Sequence, residues 1–161
     1  MELTIFIFAL LYSTIIFSFF IGIVFLENRK NTKINNISVI IAARNEEEHL
    51  PNLLDALISQ NYSKENYEII IVDDRSEDKT AAIVKMYQSK NSNITLLQVK
   101  NESKLLLGKK GALDKGIRSA KYDILAFTDA DCVPTKNWLS QINSHFTDDT
   151  DVVAGYSFIH Y

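Results

Sequence analysis

The sequence predicts an α/β fold, with a mainly parallel sheet flanked by helices and preceded by one transmembrane helix. The first observation is a long apolar stretch, Leu3 to Leu26, that contains no charged residue. The second is the alternation, after residue 37, of short apolar runs with stretches whose apolar side chains recur at helical spacing. Strands that alternate with helices form parallel sheets with helical crossovers, so this second part is one α/β domain.

The apolar stretch is predicted to be an uncleaved, single-pass membrane anchor. As an α-helix it reaches about 36 Å, which exceeds the roughly 30 Å hydrocarbon core of a bilayer. Glu2 precedes the stretch and Arg29, Lys30 and Lys33 follow it, which is the reverse of a secretory signal peptide. A buried core helix is the alternative. Because basic residues stay on the cytoplasmic side, we expect the domain to face the cytoplasm. A polar linker is expected over residues 27–36, and the domain over residues 37–161.

The elements of the domain follow from two periodicities. Continuous apolar runs rich in β-branched residues predict strands covered on both faces. These runs are Ile37–Ala43, Glu68–Val72, Ile94–Val99 and Asp123–Thr128, with a further strand at Asp151–Ile159. Helical spacing predicts helices from Leu50 to Ile58, from Thr80 to Tyr87, after Gly111, and from Trp138 to Phe146. Asn45 with Glu48 has the spacing of a capping box, and Ser76 with Glu77 and Asp78 that of an N-cap and acidic first turn.

Composition excludes several classes of protein. The chain carries 17 basic and 20 acidic residues, so it lacks the basic footprint of a nucleic-acid-binding protein, and no nucleic-acid partner is expected. Its single cysteine, Cys132, cannot form an intrachain disulfide. Five glycines and two prolines exclude collagen-like or low-complexity character.

Polar clusters follow three of the predicted strands. Arg44-Asn45-Glu46 follows the first strand, Asp73-Asp74 the second and Asp129-Ala130-Asp131 the fourth. In open parallel sheets, ligands bind beyond the carboxyl ends of the strands, where the strand order reverses. The three clusters are therefore predicted to form one shared site.

The residue types in these clusters indicate a nucleoside diphosphate held by a cation. Asp129 and Asp131 are one residue apart, so extended backbone places both carboxylates on one side, where they suit Mg²⁺ or Mn²⁺. Asp73-Asp74 is a second ion site, a helix cap, or an acceptor for donors on a base or sugar. Lys109 and Lys110, between Gly108 and Gly111, can reach a phosphate or lie solvated. Ser103 and Lys110 stand where a Walker site has Gly and Ser or Thr, which argues against that motif.

Four runs in this order resemble the nucleotide-binding half of a family-2 glycosyltransferase. They are SVIIAARNEEEHLPNLLDALISQ, IIIVDDRSED, GKKGALDKGIRSA and ILAFTDADCVP, and the resemblance extends from Ile37 to Tyr161. It implies a nucleotide-sugar-binding, GT-A-like fold that is incomplete in this chain. It also implies a glycosyltransferase that moves a sugar from a nucleoside-diphosphate sugar to a glycan or lipid acceptor.

The resemblance assigns a role to each cluster. Ala42 to Glu46, including Arg44, would line the nucleoside, although Arg44 stands where relatives often carry an aromatic side chain. Asp74 would meet the base, with Asp73 nearby.

Lys109 would contact the nucleotide phosphates. Asp129 and Asp131 match the DxD element of the family and would hold Mg²⁺ or Mn²⁺, with Asp131 the direct ligand. The cation and the lysine would stabilise the charge that grows on the leaving diphosphate. An opposing carboxylate would deprotonate the acceptor, with inversion at the anomeric carbon.

The same resemblance places that catalytic base beyond residue 161, so the chain is expected to be a fragment that carries the donor half. One alternative is a membrane-tethered nucleotide-binding module without turnover. Another is a phosphatase of the haloacid-dehalogenase type, since Asp129 to Val133 fits its nucleophile element. A dinucleotide-binding dehydrogenase is excluded because no GxGxxG follows the first strand.

Overall fold

The computed structural model describes residues 2–24, 31–99 and 108–155. The chain divides into two compact units, Met1–Lys30 and Asn31–Tyr161. The first unit contains one helix, α1 (Glu2–Val24). Its segment Thr4–Ile21 has no buried residue and is long and apolar enough, by length and composition, to cross a membrane. The predicted end of this helix, Phe25 and Leu26, lies outside the described residues.

Two hydroxyl groups within α1 donate to the helix backbone. Thr14 Oγ1 donates to the carbonyl oxygen of Leu10 at 2.7 Å, and Ser18 Oγ donates to that of Ile15 at 2.8 Å. Such bonds to the preceding turn pair the hydroxyl hydrogen without water, so these two side chains are compatible with an apolar surrounding.

The second unit contains a four-stranded parallel sheet, which confirms the predicted α/β class. Its strands are β1 (Ile37–Ala43), β2 (Tyr67–Asp73), β3 (Ile94–Gln98) and β4 (Ile124–Phe127). Its helices are α2 (Leu50–Ile58), α3 (Thr80–Gln88), α4 (Lys109–Ser119) and α5 (Trp138–His145), and a single 3-10 turn spans Lys64–Asn66. The strands lie in the order β3-β2-β1-β4.

Helices cover both faces of the sheet. On one face, Val39 and Ile41 of β1 belong to the main core cluster, which also contains buried residues of α2, α3 and α5. On the other face, Ile70 and Val72 of β2 pack with Ala112 of α4. Burial on both faces explains why the strands read as continuous apolar runs.

Residues 31–36, within the segment predicted as a linker, are hydrogen-bonded to α5. The main-chain N–H of Asn31 donates to the carbonyl oxygen of Ser144 at 2.7 Å. The side-chain amide of Asn143 donates to the carbonyl oxygen of Lys33 at 2.8 Å and accepts from the N–H of Asn35 at 3.0 Å. Asn143 is buried, so these bonds fasten this part of the segment to the domain. The rest of the predicted linker lies outside the described residues.

One prediction about local structure is wrong, and a second is wrong over the part of its range that the structure describes. Helix α2 begins at Leu50 and α3 at Thr80, and neither amino terminus has a side-chain cap. Asn45 and Ser76 lie in the loops ahead of these helices, where they bond to each other's loop instead. The predicted last strand is also absent from Asp151–Gly155, which is irregular, and the remainder of that run lies outside the described residues.

Candidate functional site

The carboxyl ends of neighbouring strands bring the three polar clusters to one edge of the sheet. Ala43 at the end of β1 pairs with Asp73 at the end of β2, and β4 lies on the other side of β1. The strand order reverses between β1 and β4, so the residues that follow these strands flank a topological switch point. We call the residues that follow β1, β2 and β4 the carboxyl edge.

The two aspartates at the end of β2 have different surroundings. Asp73 is buried and uses both oxygens within the fold: Oδ1 accepts from the N–H of Ser76 at 2.9 Å and Oδ2 from the amide of Gln98 at 3.1 Å. Asp74 is also buried, and its Oδ1 accepts from Arg75 Nε at 2.9 Å. Asp73 therefore holds the turn, whereas no described residue donates to Oδ2 of Asp74.

Both the main chain and the carboxylate of Asp74 form hydrogen bonds. Its N–H donates to the carbonyl oxygen of Ala43 at 2.8 Å, which extends the contact between β1 and β2 beyond the ladder. The hydrogen bond and the charge of Asp74 raise the pKa of the Arg75 guanidinium, so the guanidinium stays positively charged. Arg75 has a left-handed backbone conformation, with φ of 58°. The carboxylate of Asp74 thus lies beside a fixed positive charge.

The loop after β1 and the loop after β2 are joined by reciprocal bonds. The N–H of Asn45 donates to Ser76 Oγ at 2.9 Å, and Asn45 Oδ1 accepts from the N–H of Glu77 at 2.9 Å. Asn45 has φ of 57°, a conformation that asparagine tolerates better than most residues. We call the bonds between residues 45–47 and 76–80 the loop clamp.

Three further bonds complete the loop clamp. The N–H of Glu46 donates to Thr80 Oγ1 at 2.8 Å, and that of Glu47 donates to Asp78 Oδ2 at 3.1 Å. In return, Glu47 Oε2 accepts from the N–H of Lys79 at 2.9 Å. Desolvation raises the pKa of Asp78, but hydrogen bonds from Thr80 and the Glu47 N–H outweigh it, so the net pKa is lowered.

A lysine and an aspartate meet on the β4 side of the carboxyl edge. Helix α4 begins at Lys109, after Gly108 in a left-handed conformation with φ of 70°. Lys109 Nζ lies 2.6 Å from Asp129 Oδ1, and both side chains are exposed. The hydrogen bond to Asp129 raises the pKa of Lys109, and the negative charge of Asp131 adds to the effect. Lys109 and Asp129 are therefore in direct contact, and Asp131 follows Asp129 by two residues.

The carboxylates of Asp129 and Asp131 suit a hard cation only as part of a larger set of ligands. Asp129 and Asp131 are exposed and supply oxygen ligands, which Mg²⁺ and Mn²⁺ prefer. In the part of the chain that the structure describes, no three His, Cys, Asp or Glu side chains converge on one point. An ion held here would take its other ligands from water or from a bound molecule.

The remaining predicted site residues lie in or just after β1. Ala42 is half-buried and packs in the small cluster beneath α4, so its side chain fills the core. Arg44 is exposed and makes no hydrogen bond or ion pair with any described residue. Glu46 is half-buried, and its Oε2 lies 2.9 Å from Nδ1 of His49. The edge thus has an Asp74 side and a Lys109–Asp129 side, and no bond among residues 31–99 and 108–155 links the two directly.

Sequence reasoning missed the residues that fix the shape of this edge. Ser76 and Thr80 supply hydroxyl acceptors to the loop clamp, and Gln98 supplies the donor to Asp73. One signal was available, because Asn45 between two polar residues after a buried strand is a common left-handed turn residue. The partners themselves follow only from the pairing of β2 with β1 and β3.

Comparisons with known proteins identify the family. The sequence model of Glycosyl transferase family 2 matches residues 38–161. Glycosyltransferase AglE of Haloferax volcanii is 36% identical over 105 residues, which are 65% of this chain and 33% of that protein. The dolichyl-phosphate beta-glucosyltransferase of Dictyostelium discoideum is 41% identical over 103 residues, 59% of this chain and 30% of that protein.

Similarity to solved structures points to the same family. The S. aureus TarS 1-349 complex with UDP-GlcNAc has a TM-score of 0.58 and 30% identity, and the match covers 66% of this chain and 30% of that one. The mannosyltransferase PcManGT of Pyrobaculum calidifontis, in complex with GDP-Man and Mn²⁺, has a TM-score of 0.59 and 28% identity, and covers 68% and 33%. The chain thus spans about a third of the length of these relatives, and the likeness confirms the predicted GT-A-like fold. The chain belongs to glycosyltransferase family 2.

Proposed function

We propose that this chain is the donor-binding part of a glycosyltransferase that moves a sugar from a nucleoside-diphosphate sugar to a glycan or lipid acceptor. The observation that carries the proposal is the contact of Lys109 with Asp129, beside Asp131, on the same sheet edge as Asp74. A cationic group and two carboxylates suit a diphosphate with its cation, and the buried carboxylate of Asp74, at the same edge of the sheet, suits a base. Family membership adds support, because TarS and PcManGT bind UDP-GlcNAc and GDP-Man in their solved complexes.

The nucleoside is proposed to lie against the Asp74 side of the carboxyl edge. Oδ2 of Asp74 can accept a hydrogen bond from a base N–H, because the described residues leave it without a donor. The exposed Arg44 can stack on the base or pair with phosphate. The main chain from Ala42 to Glu46 would line the ribose. Asp73 takes an indirect part, since both its oxygens already serve the turn.

The diphosphate is proposed to lie on the Lys109–Asp129 side. Asp129 and Asp131 would hold Mg²⁺ or Mn²⁺, with Asp131 the direct ligand because Asp129 is already paired with Lys109. When bound, the cation supplies charge stabilisation to the leaving diphosphate. Lys109 would contribute a charge-assisted hydrogen bond to a phosphate oxygen. Transfer would invert the anomeric carbon, with an acceptor base that no described residue is assigned to provide.

The setting is proposed to be the cytoplasmic face of a membrane. Helix α1 is long and apolar enough to span a bilayer, and the basic residues Arg29, Lys30 and Lys33 follow it. A membrane-anchored donor site suits a lipid-linked or exported acceptor. The name of the Dictyostelium relative, a dolichyl-phosphate beta-glucosyltransferase, refers to such an acceptor.

Calorimetric titration of the full chain in detergent tests the proposal. UDP and GDP are titrated with and without Mn²⁺, and one of them should bind in a metal-dependent way. Asp131→Asn should abolish the metal dependence, whereas the control Asp149→Asn, an exposed aspartate near the end of the domain, should not. Well-folded protein that binds neither nucleotide, or a variant Asp131→Asn that keeps the metal dependence, would contradict the proposal.

A further inference from the structure

The loop clamp links the two loops on the Asp74 side through main-chain donors. Three successive N–H groups, those of Asn45, Glu46 and Glu47, each donate to a side-chain oxygen of the other loop. A left-handed residue among right-handed neighbours turns successive N–H groups to one side, which makes a concave set of donors. With φ of 57° at Asn45, this set is filled by oxygens of Ser76, Thr80 and Asp78.

Asn45 is the residue on which the clamp depends. Its N–H donates into the second loop, its Oδ1 accepts from that loop, and its conformation aims the next two N–H groups. Few residue types meet all three requirements. Glycine adopts the conformation without the acceptor, and alanine offers neither.

The clamp lies against the residues proposed to hold the nucleoside. Arg44 immediately precedes Asn45, and Asp74 lies two residues before Ser76. The N–H of Asp74 also bonds to Ala43 at the base of the first loop. Ala42 and Ala43 are fixed by the pairing of β1 with β2, so a change in the separation of the two loops changes the distance between the main chain of residues 44–46 and the carboxylate of Asp74.

We propose that Asn45, acting with Ser76, is a positioning residue that sets the width of the nucleoside cleft. This inference rests on the proposed function, because it assumes that a nucleoside lies between these loops. Lys109 and Asp129 form no hydrogen bond with any clamp residue in the described part of the chain. Loss of the clamp should therefore weaken binding of the nucleoside and leave binding of a bare diphosphate unchanged.

The experiment compares two probes on each variant: Mn²⁺ with pyrophosphate, and Mn²⁺ with whichever of UDP and GDP the wild-type chain binds more tightly. Asn45→Gly keeps the backbone conformation and removes the acceptor, so it should fold. It should bind the nucleotide about tenfold more weakly and pyrophosphate normally. Asn45→Asp retains the acceptor and should restore most of the nucleotide affinity.

Ser76→Ala removes the other hydrogen bond of the reciprocal pair, the one that the N–H of Asn45 donates to Ser76 Oγ. It should weaken nucleotide binding to a similar extent, and the double variant with Asn45→Gly should fall short of the sum of the two effects, since both bonds hold the same two loops together. The control is Asn52→Ala, an exposed asparagine on α2, which should leave both affinities unchanged. A general loss of structure would weaken the binding of both probes together. A loss confined to the nucleotide therefore distinguishes a positioning role from an effect on stability.

Two results would overturn the inference. One is equal nucleotide affinity in wild type, Asn45→Gly and Ser76→Ala. The other is a parallel loss of pyrophosphate and nucleotide binding in those variants. If wild-type protein binds neither probe, the proposed function fails and the inference falls with it. If the probes bind and the variants behave as wild type, only the inference fails.

Discussion

Replacement of Gly116 by alanine tests how closely α4 packs on the sheet. An added Cβ at this position would lie 2.5 Å from Cγ2 of Ile40 and 3.1 Å from Cγ2 of Val72. Ordinary contacts of such atoms begin at 3.4 Å, so Ile40 or the helix must move by about 0.9 Å. Because α4 begins with Lys109, a shift of the helix also moves that lysine relative to Asp129.

Two opposing terms set the size of the effect. Overpacking of a tight site costs about 1–3 kcal/mol, whereas glycine to alanine in a helix returns about 0.8–1 kcal/mol. The expected net loss is about 1 kcal/mol, or a fall in Tm of roughly 4 °C for a domain of this size. Thermal unfolding followed by circular dichroism, in detergent, measures it.

The matched control is Gly155→Ala, since a Cβ there meets nothing within 4 Å. It should change the free energy of unfolding by less than about 0.5 kcal/mol. In an Ile40→Leu background, which removes the obstructing Cγ2, Gly116→Ala should cost less than in the wild type. A higher Tm for Gly116→Ala, with no coupling to Ile40, would refute the close approach of α4 to β1.

Three further predictions concern the carboxyl edge. Lys109→Met should weaken nucleoside-diphosphate binding by about 10-fold to 100-fold in calorimetry, because a charge-assisted hydrogen bond is lost, and the adjacent control Lys110→Met should bind normally; equal losses would contradict a specific role for Lys109. Because the pKa of Asp78 is lowered in the folded state, its carboxylate stabilises the fold at every pH above its ordinary pKa of 3.8. This contribution disappears as the pH falls through the pKa of the folded state. Asp78→Asn should therefore be less stable than wild type to urea at pH 7 and no less stable near pH 2; a gap that persists in acid would contradict this assignment. Arg75→Gly should relieve the left-handed strain of about 1 kcal/mol while it removes the ion pair with Asp74, so urea unfolding should show little net change; a clear loss of stability would contradict this balance.

The centre of the sheet could be predicted because β1 and β2 are covered on both faces. Val39 and Ile40 of β1 point to opposite sides and both are fully buried, so the run reads as continuously apolar in the sequence. The bounds of β1 match the prediction for this reason, and those of α2 match because its buried leucines recur at helical spacing. The predicted helix caps are wrong because Asn45 and Ser76 form hydrogen bonds to each other's loop. Local sequence spacing contains no information about such tertiary partners.

The residue pattern alone could predict the edge of the sheet that carries the candidate site, whereas the expected roles of its residues came only from the resemblance to a family. Three polar clusters after strands predicted a shared edge, and parallel pairing places them there. The residue pattern alone does not distinguish Asp73 from Asp74. The structure does, because the N–H of Ser76 and the amide of Gln98 donate to Asp73, whose carboxylate therefore stabilises the turn. The ion pair of Lys109 with Asp129 depends on how α4 docks, which periodicity alone does not determine.

The central claim is that a cation and a nucleoside diphosphate meet at the carboxyl edge. Paramagnetic broadening by Mn²⁺, measured on assigned amide signals of the full chain in detergent with UDP or GDP present, tests it most directly. The account predicts that the amides of Asp129, Asp131 and Lys109 broaden first and those of Asp74 and Arg75 less. Broadening centred on the opposite ends of the strands, with the signals of Asp129 and Asp131 unaffected, would contradict it.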